Sequence, residues 1–96
     1  MERPRLETKA HHFTVFGRVQ GVGFRYFVFR HATKLRLCGW VRNKENGDVE
    51  ARVEGEQEAV LELERLIRKG PSFSFVSECQ RREVPVEGFE SFSIVK

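Results

Sequence analysis

Hydrophobic and polar positions alternate along the chain with two different periods. Between residues 13 and 19, the apolar Phe13 and Val15 point to one side of an extended segment and Thr14 and Phe16 to the other, which predicts a β-strand. Apolar side chains then recur at three- and four-residue steps, which predicts a helix with one buried stripe. The residues of this stripe are Phe24, Phe27, Val28, His31, Ala32 and Leu35.

The middle of the chain predicts a β-hairpin. Residues 38–43 are rich in strand formers, and the Asn46-Gly47 pair that follows them is a strong hairpin signal. The next strand alternates strictly, so we expect one set of residues to face inward and the other to face outward. The inward set is Val49, Ala51 and Val53, and the outward set is Glu50, Arg52 and Glu54.

A second helix and two further strands complete the pattern. This helix is predicted to start after Gly55, with Glu56 and Glu58 in its first turn, and to stop at Gly70-Pro71. Its apolar stripe consists of Val60, Leu63, Leu66 and Ile67. Residues 75–84 predict a fourth strand and residues 92–95 a short fifth.

The order β-α-β-β-α-β with a terminal strand predicts an α+β, ferredoxin-like two-layer sandwich. Right-handed connections place both helices on one face of a mainly antiparallel sheet. In this arrangement the second and fourth strands lie at opposite edges, so Cys38 and Cys79 are expected to be too far apart to form a disulfide. We expect a flexible leader at residues 1–9 and one domain at residues 10–96.

Composition narrows the class of protein. The 96 residues, 40% hydrophobic and 32% charged, fit one soluble domain, and they contain no apolar run long enough to span a bilayer and no signal-peptide core. We therefore expect a cytoplasmic protein without a membrane partner. The net charge of +3 is uneven, because residues 1–48 carry 10 basic and 4 acidic side chains and residues 49–96 carry 7 and 10. The basic half favours an anionic ligand.

The stretch from Gly17 to Gly23, here called the glycine-rich loop, is the best candidate for that anion site. Three glycines between a strand and a helix allow backbone N–H groups to converge, and the helix N-terminus adds unpaired N–H groups of its own. Arg25, in the first helical turn, can reach back to hold a phosphate through two parallel hydrogen bonds. The loop lacks the Lys-Ser/Thr of a nucleotide-binding P-loop.

Two motifs in this chain resemble the signatures of the acylphosphatase family. The first runs Gly17-Arg18-Val19-Gln20-Gly21-Val22-Gly23-Phe24-Arg25 and is similar to the family's G-x-V-Q-G-V-x-F-R loop. The second runs Gly39-Trp40-Val41-Arg42-Asn43 and is followed by Gly47, Val49 and Gly55. The resemblance covers residues 10–96 and agrees with the predicted fold.

The resemblance implies hydrolysis of the carboxyl–phosphate bond of small acyl phosphates to a carboxylate and inorganic phosphate. It assigns phosphate binding and catalysis to Arg25 and the positioning of the attacking water to Asn43. It places the phosphate-binding segment at Arg18, Val19, Gln20, Gly21, Val22, Gly23, Phe24 and Arg25. It implies that no metal and no organic cofactor is used. We also expect a monomer.

Two other functions are compatible with part of this pattern. A non-catalytic phosphate- or RNA-binding module suits a basic ferredoxin-like domain, but the third predicted strand, residues 49–54, carries no aromatic side chain and is acidic outside. Nucleic acid is therefore not expected as a partner. An accessory role is known for similar domains at the amino end of larger carbamoyl-transfer maturation proteins. The end of this chain at Lys96 favours a free-standing hydrolase instead.

Overall fold

A computed structural model describes residues 7–96 and confirms the predicted α+β ferredoxin-like fold. One five-stranded sheet has the strand order β4-β1-β3-β2-β5, with antiparallel pairs except for the parallel β2–β5 pair. The elements are β1 (Thr8–Arg18), α1 (Phe24–Lys34), β2 (Cys38–Asn43), β3 (Val49–Glu56), α2 (Gln57–Lys69), β4 (Phe75–Val84) and β5 (Phe92–Ile94). No helix within residues 7–96 is long and apolar enough to span a membrane.

The hydrophobic core lies between the helices and one face of the sheet. Both helices and the inward residues of the strands contribute to a single buried cluster. Each large apolar side chain buried in it contributes about 1.5–3 kcal/mol of transfer free energy. The largest fully buried side chains include Phe13, Val15, Phe24, Val28, Val53, Leu63 and Ile67.

β1 begins earlier than the hydrophobic alternation indicates. Thr8 and Lys9 already pair with Glu56 and Gly55 of β3, because backbone pairing continues past the last position where an apolar side chain marks the strand. Of the predicted leader, residues 1–6 lie outside the described residues. The predicted start of the second helix is also shifted, since Glu56 remains in β3 as the N-cap of α2 and only Glu58 lies in the first turn.

Glu50 and Glu54 face outward, as the alternation along β3 predicts, but the outer face is not open to solvent at these two positions. They do lie on the face away from the helices, but both are buried, at 7% and 3% exposure. The backbone N–H groups of Gly88 and Phe89 donate to the Glu54 carboxylate at 3.0 and 3.1 Å, because the segment between β4 and β5 folds over it. Long-range packing therefore covers acidic side chains that alternation alone places on the outer face of the sheet.

β5 changes one edge of the predicted sheet. β4 forms an edge as expected, but β2 does not, because Gly39 N–H donates to Ser91 O and Val95 N–H donates to Val41 O, each at 2.9 Å. β1 and β3 still separate the two cysteines, and Cys38 and Cys79 are free thiols, as predicted. Burial raises the pKa of the Cys79 thiol to about 11, so it is protonated at neutral pH.

Candidate active site

Two glycines allow the chain to turn from β1 into α1. Gly21 and Gly23 have φ angles of +73° and +77°, in the left-handed region that side chains other than glycine disfavour. Between β1 and these glycines, Val19 is buried in the core at 1% exposure. The loop is thus fixed to the core at one point while its glycines keep the backbone open to the surface.

The N-terminus of α1 has no side-chain cap. Gly23 is the N-cap and has no side chain to cap the helix, and no acidic residue lies in the first turn. The first hydrogen bond of this helix is donated by Phe27 N–H to Gly23 O at 3.0 Å. The N–H groups of residues 24–26 therefore have no acceptor within the helix, and the helix dipole adds partial positive charge there.

A cleft of ≈ 200 Å³ lies where the glycine-rich loop, α1 and the end of β2 meet. It is lined by Val19, Gly21, Gly23, Phe24, Arg25, Tyr26, Asn43 and Ile94. Within residues 7–96, no carboxylate lies at ion-pair distance from Arg25. Its guanidinium charge is thus available to an anionic ligand in this cleft.

Asn43 reaches the same cleft from the end of β2. It pairs with Val49, whose side chain is fully buried in the core, so Asn43 lies on the helix-bearing face of the sheet. Its Oδ1 atom is buried and has no hydrogen-bond partner among the described residues. A buried carbonyl oxygen without a protein partner is costly unless water or a ligand satisfies it.

Not every residue of the predicted phosphate-binding segment lines the cleft. Arg18 ends β1 with an exposed side chain, and Val22 packs against the core. The side chain of Gln20 points to the β2–β3 hairpin and donates to the carbonyl oxygens of Lys44 and Asp48. The cleft thus contains five of the residues proposed for phosphate contact, together with Asn43.

Sequence reasoning missed two residues of the cleft. Tyr26 and Ile94 form part of its wall and are 58% and 42% exposed. Helical spacing after Arg25 is a signal that could have identified Tyr26. No local pattern identifies Ile94, because it reaches the cleft only through the pairing of β5 with β2.

The cleft holds no side chain suited to act as a general base at neutral pH, since its lining within residues 7–96 contains no Asp, Glu or His. A His–Glu pair, His12 and Glu50, lies on the opposite face of the sheet, with His12 Nε2 3.0 Å from Glu50 Oε2. Burial raises the pKa of the Glu50 carboxyl, but hydrogen bonds from Arg42 and His12 outweigh it and hold the pKa below its usual value. Residues 7–96 contain no group of three or more His, Cys, Asp or Glu side chains arranged to hold a metal ion.

The fold and the cleft together define a small α+β domain with a glycine-rich loop at a helix N-terminus, and comparisons with known proteins identify its family. The family model for acylphosphatase matches residues 11–94. The acylphosphatase of Bacillus pumilus is 49% identical over 75 residues, which cover 78% of this chain and 83% of that protein. The chain therefore belongs to the acylphosphatase family.

Solved structures agree with this assignment. The crystal structure of the acylphosphatase from Bacillus subtilis superposes with a TM-score of 0.90 at 42% identity, covering 92% of this chain and 99% of that one. The chain is also similar to part of full-length HypF, in its phosphate- and nucleotide-bound form, with a TM-score of 0.87 at 39% identity. That match covers 98% of this chain and 13% of HypF.

Proposed function

We propose that this protein hydrolyses small acyl phosphates to a carboxylate and inorganic phosphate. The observation that carries the proposal is the meeting, in one cleft, of Arg25, which has no ion-pair partner within residues 7–96, an uncapped helix N-terminus and the buried Oδ1 of Asn43. The first two groups stabilise the charge on a transferring phosphoryl group. The third can accept a hydrogen bond from a water molecule. Phosphoryl transfer needs mainly such positioning and charge stabilisation.

The proposed reaction is one in-line displacement at phosphorus. The oxygen of a water hydrogen-bonded to Asn43 Oδ1 forms a bond to phosphorus as the bond from phosphorus to the acyl oxygen breaks. The electron pair of the broken bond leaves with the carboxylate. Loop N–H groups and the Arg25 guanidinium hold the equatorial oxygens throughout.

The proton of the attacking water is proposed to move to a phosphate oxygen of the substrate. This route follows from the cleft lining, which within residues 7–96 offers no carboxylate or imidazole to accept it. The leaving carboxylate is weakly basic and needs no proton from the protein. The same cleft is therefore poorly suited to esters whose leaving group requires a general acid.

The cleft wall also offers a place for the acyl group of the substrate. The acyl group would lie against Tyr26 and Ile94, the exposed apolar side chains of the cleft wall. We propose that the protein acts as a monomer without metal, cofactor or nucleic acid. The free thiols Cys38 and Cys79 suit a reducing cytoplasm, which we propose as its location.

The first test compares two substrates for the wild-type protein. Benzoyl phosphate should be hydrolysed rapidly, and the phosphate ester p-nitrophenyl phosphate at least about 10²-fold more slowly, because p-nitrophenolate is a more basic leaving group than benzoate and the described lining of the cleft has no Asp, Glu or His to protonate it. Turnover of benzoyl phosphate should be unchanged by a chelator. The measurement is the initial rate with each substrate, with and without the chelator. Equal rates on the two substrates, or loss of activity with the chelator, would contradict the proposed mechanism.

Asn43→Ala tests the positioning of water. It should lower kcat by about 10²-fold, because one preorganised group at the reacting atoms is lost. Inhibition by inorganic phosphate should change little, since the loop and Arg25 that hold the phosphate remain. The matched control is Asn46→Ala at the hairpin tip, where Asn46 Oδ1 accepts from Asp48 N–H at 3.0 Å and the residue does not line the cleft. Full turnover in Asn43→Ala would exclude the assigned role.

A further inference from the structure

Gln20 makes a pair of contacts that its place in the phosphate-binding segment does not require. Its Nε2 atom donates to Lys44 O at 2.7 Å and to Asp48 O at 2.8 Å, across 24 and 28 positions of the chain. Both acceptors are backbone carbonyls, so only the amide nitrogen of Gln20 can face them. Each hydrogen of this –NH₂ group thus has its own acceptor.

The two carbonyls are the ones that close the β2–β3 hairpin. Lys44 N–H donates to Asp48 O at 2.8 Å, and Gly47 N–H donates to Lys44 O at 3.2 Å. The Gln20 amide therefore joins the middle of the glycine-rich loop to the base of the hairpin. Asn43 directly precedes Lys44, so this bridge lies one residue from the side chain assigned to the attacking water.

We propose that Gln20 is a positioning residue that sets the distance between the bound phosphoryl group and the water held by Asn43. The inference rests on the proposed function. The glycine-rich loop carries the phosphate and the hairpin carries Asn43. Among side-chain hydrogen bonds of the described residues, those of Gln20 are the ones that join these two parts. Reactant geometry of this kind is sensitive, since a misplacement of about 1 Å can cost about 10²-fold in rate.

A positioning role predicts a specific kinetic pattern for Gln20→Met, which keeps the length of the side chain and removes both donors. The value of kcat for benzoyl phosphate should fall about 10-fold or more, because water and phosphorus are no longer held in line. Inhibition by inorganic phosphate should stay within about twofold of wild type, because the amides and Arg25 still bind it. The matched control is Gln80→Met on β4, whose amide donates to Glu78 Oε2 at 2.7 Å far from the hairpin and which should keep wild-type kinetics.

A double-mutant cycle with Asn43→Ala separates positioning from a general structural effect. If Gln20 acts through Asn43, adding Gln20→Met to Asn43→Ala should lower kcat by less than about twofold further. A structural role would instead lower kcat by the same factor in both backgrounds. If Gln20→Met does not fold, Gln20→Asn, which keeps the amide but shortens it by one methylene, enters the same cycle.

The outcomes are distinct. The role of Gln20 would be overturned if the wild type hydrolyses benzoyl phosphate but Gln20→Met leaves kcat unchanged, or lowers it by the same factor with and without Asn43→Ala. The proposed function would still stand. If Gln20→Met raised the inhibition constant for phosphate by the same factor as it lowers kcat, the positioning role would likewise be overturned, because Gln20 would then act on phosphate binding. A folded wild type without turnover would overturn the proposed function itself, and the positioning role with it.

Discussion

Arg25→Ala should lower kcat/KM for benzoyl phosphate by at least about 10²–10³-fold, the loss typical when one preorganised donor is removed from developing charge. The physical reason is the isolation of this guanidinium, which has no carboxylate at ion-pair distance within residues 7–96. Its charge is therefore not offset before the substrate arrives. Inhibition by inorganic phosphate should weaken in parallel, unlike the pattern expected for Asn43→Ala.

The unfolding free energy of Arg25→Ala shows whether its loss of activity comes from a loss of folding. Arg25 lies in the first turn of α1 and forms no ion pair there with residues 7–96, so replacing it with alanine, a strong helix former, should change the unfolding free energy by no more than about 0.5 kcal/mol. Arg25→Lys should recover only part of the activity, because an ammonium keeps the charge but lacks the paired donors of a guanidinium. Arg30→Ala, on the exposed part of the same helix, should keep wild-type kcat/KM. Activity retained in Arg25→Ala would remove this residue from the mechanism.

Gly39→Ala should destabilise the protein by about 4 kcal/mol or more, which falls in the exceptional range for a single substitution. A Cβ atom at this position would lie 1.8 Å from the Arg52 carbonyl oxygen, and the φ angle of +134° is itself unfavourable for alanine. That carbonyl belongs to the central strand β3, so relief of the clash requires β2 and β3 to separate. Since natural domains have only about 5–15 kcal/mol of stability, much of the total would be lost.

Gly88→Ala is the matched control for the backbone strain alone. Gly88 also has a positive φ angle, +88°, but a Cβ atom there would meet nothing within 4 Å. This variant should cost only about 1–2 kcal/mol, the strain of a left-handed conformation. Denaturant unfolding of both variants measures the difference, and equal midpoints would show that the contact with β3 relaxes at little cost. Because Asn43 lies on the same strand as Gly39, the alanine variant at Gly39 should also lose turnover wherever it still folds.

Local patterns predicted the elements of this fold well because each pattern reports a nearby physical cause. The three- and four-residue spacing of α1 and α2 reflects burial of one helix face, and Asn46-Gly47 marks the hairpin because its turn needs a positive φ angle, which Gly47 adopts at +98°. The order of these elements was sufficient for the ferredoxin-like class. The candidate site was predicted from two motifs, and the structure brings Arg25 and Asn43 to one cleft although they lie on different elements.

What local patterns could not predict depends on contacts between distant parts of the chain. Alternation along β3 correctly assigned Glu50 and Glu54 to the face away from the helices, yet both are buried, because His12, Arg42 and the segment before β5 pack over them. The contribution of Ile94 to the cleft depends in the same way on the parallel pairing of β5 with β2.

By itself the sequence determined the elements, their order and the candidate residues for phosphate binding, because periodicity, turn residues and motif spacing are local properties. Only the tertiary structure decided which groups those side chains face. The amide of Gln20 reaches carbonyls 24 and 28 positions away, and Gly39 lies against the backbone of β3. These contacts join segments that are far apart in the sequence, and the segments meet only once the whole sheet has formed. Their geometry is therefore a property of the folded molecule.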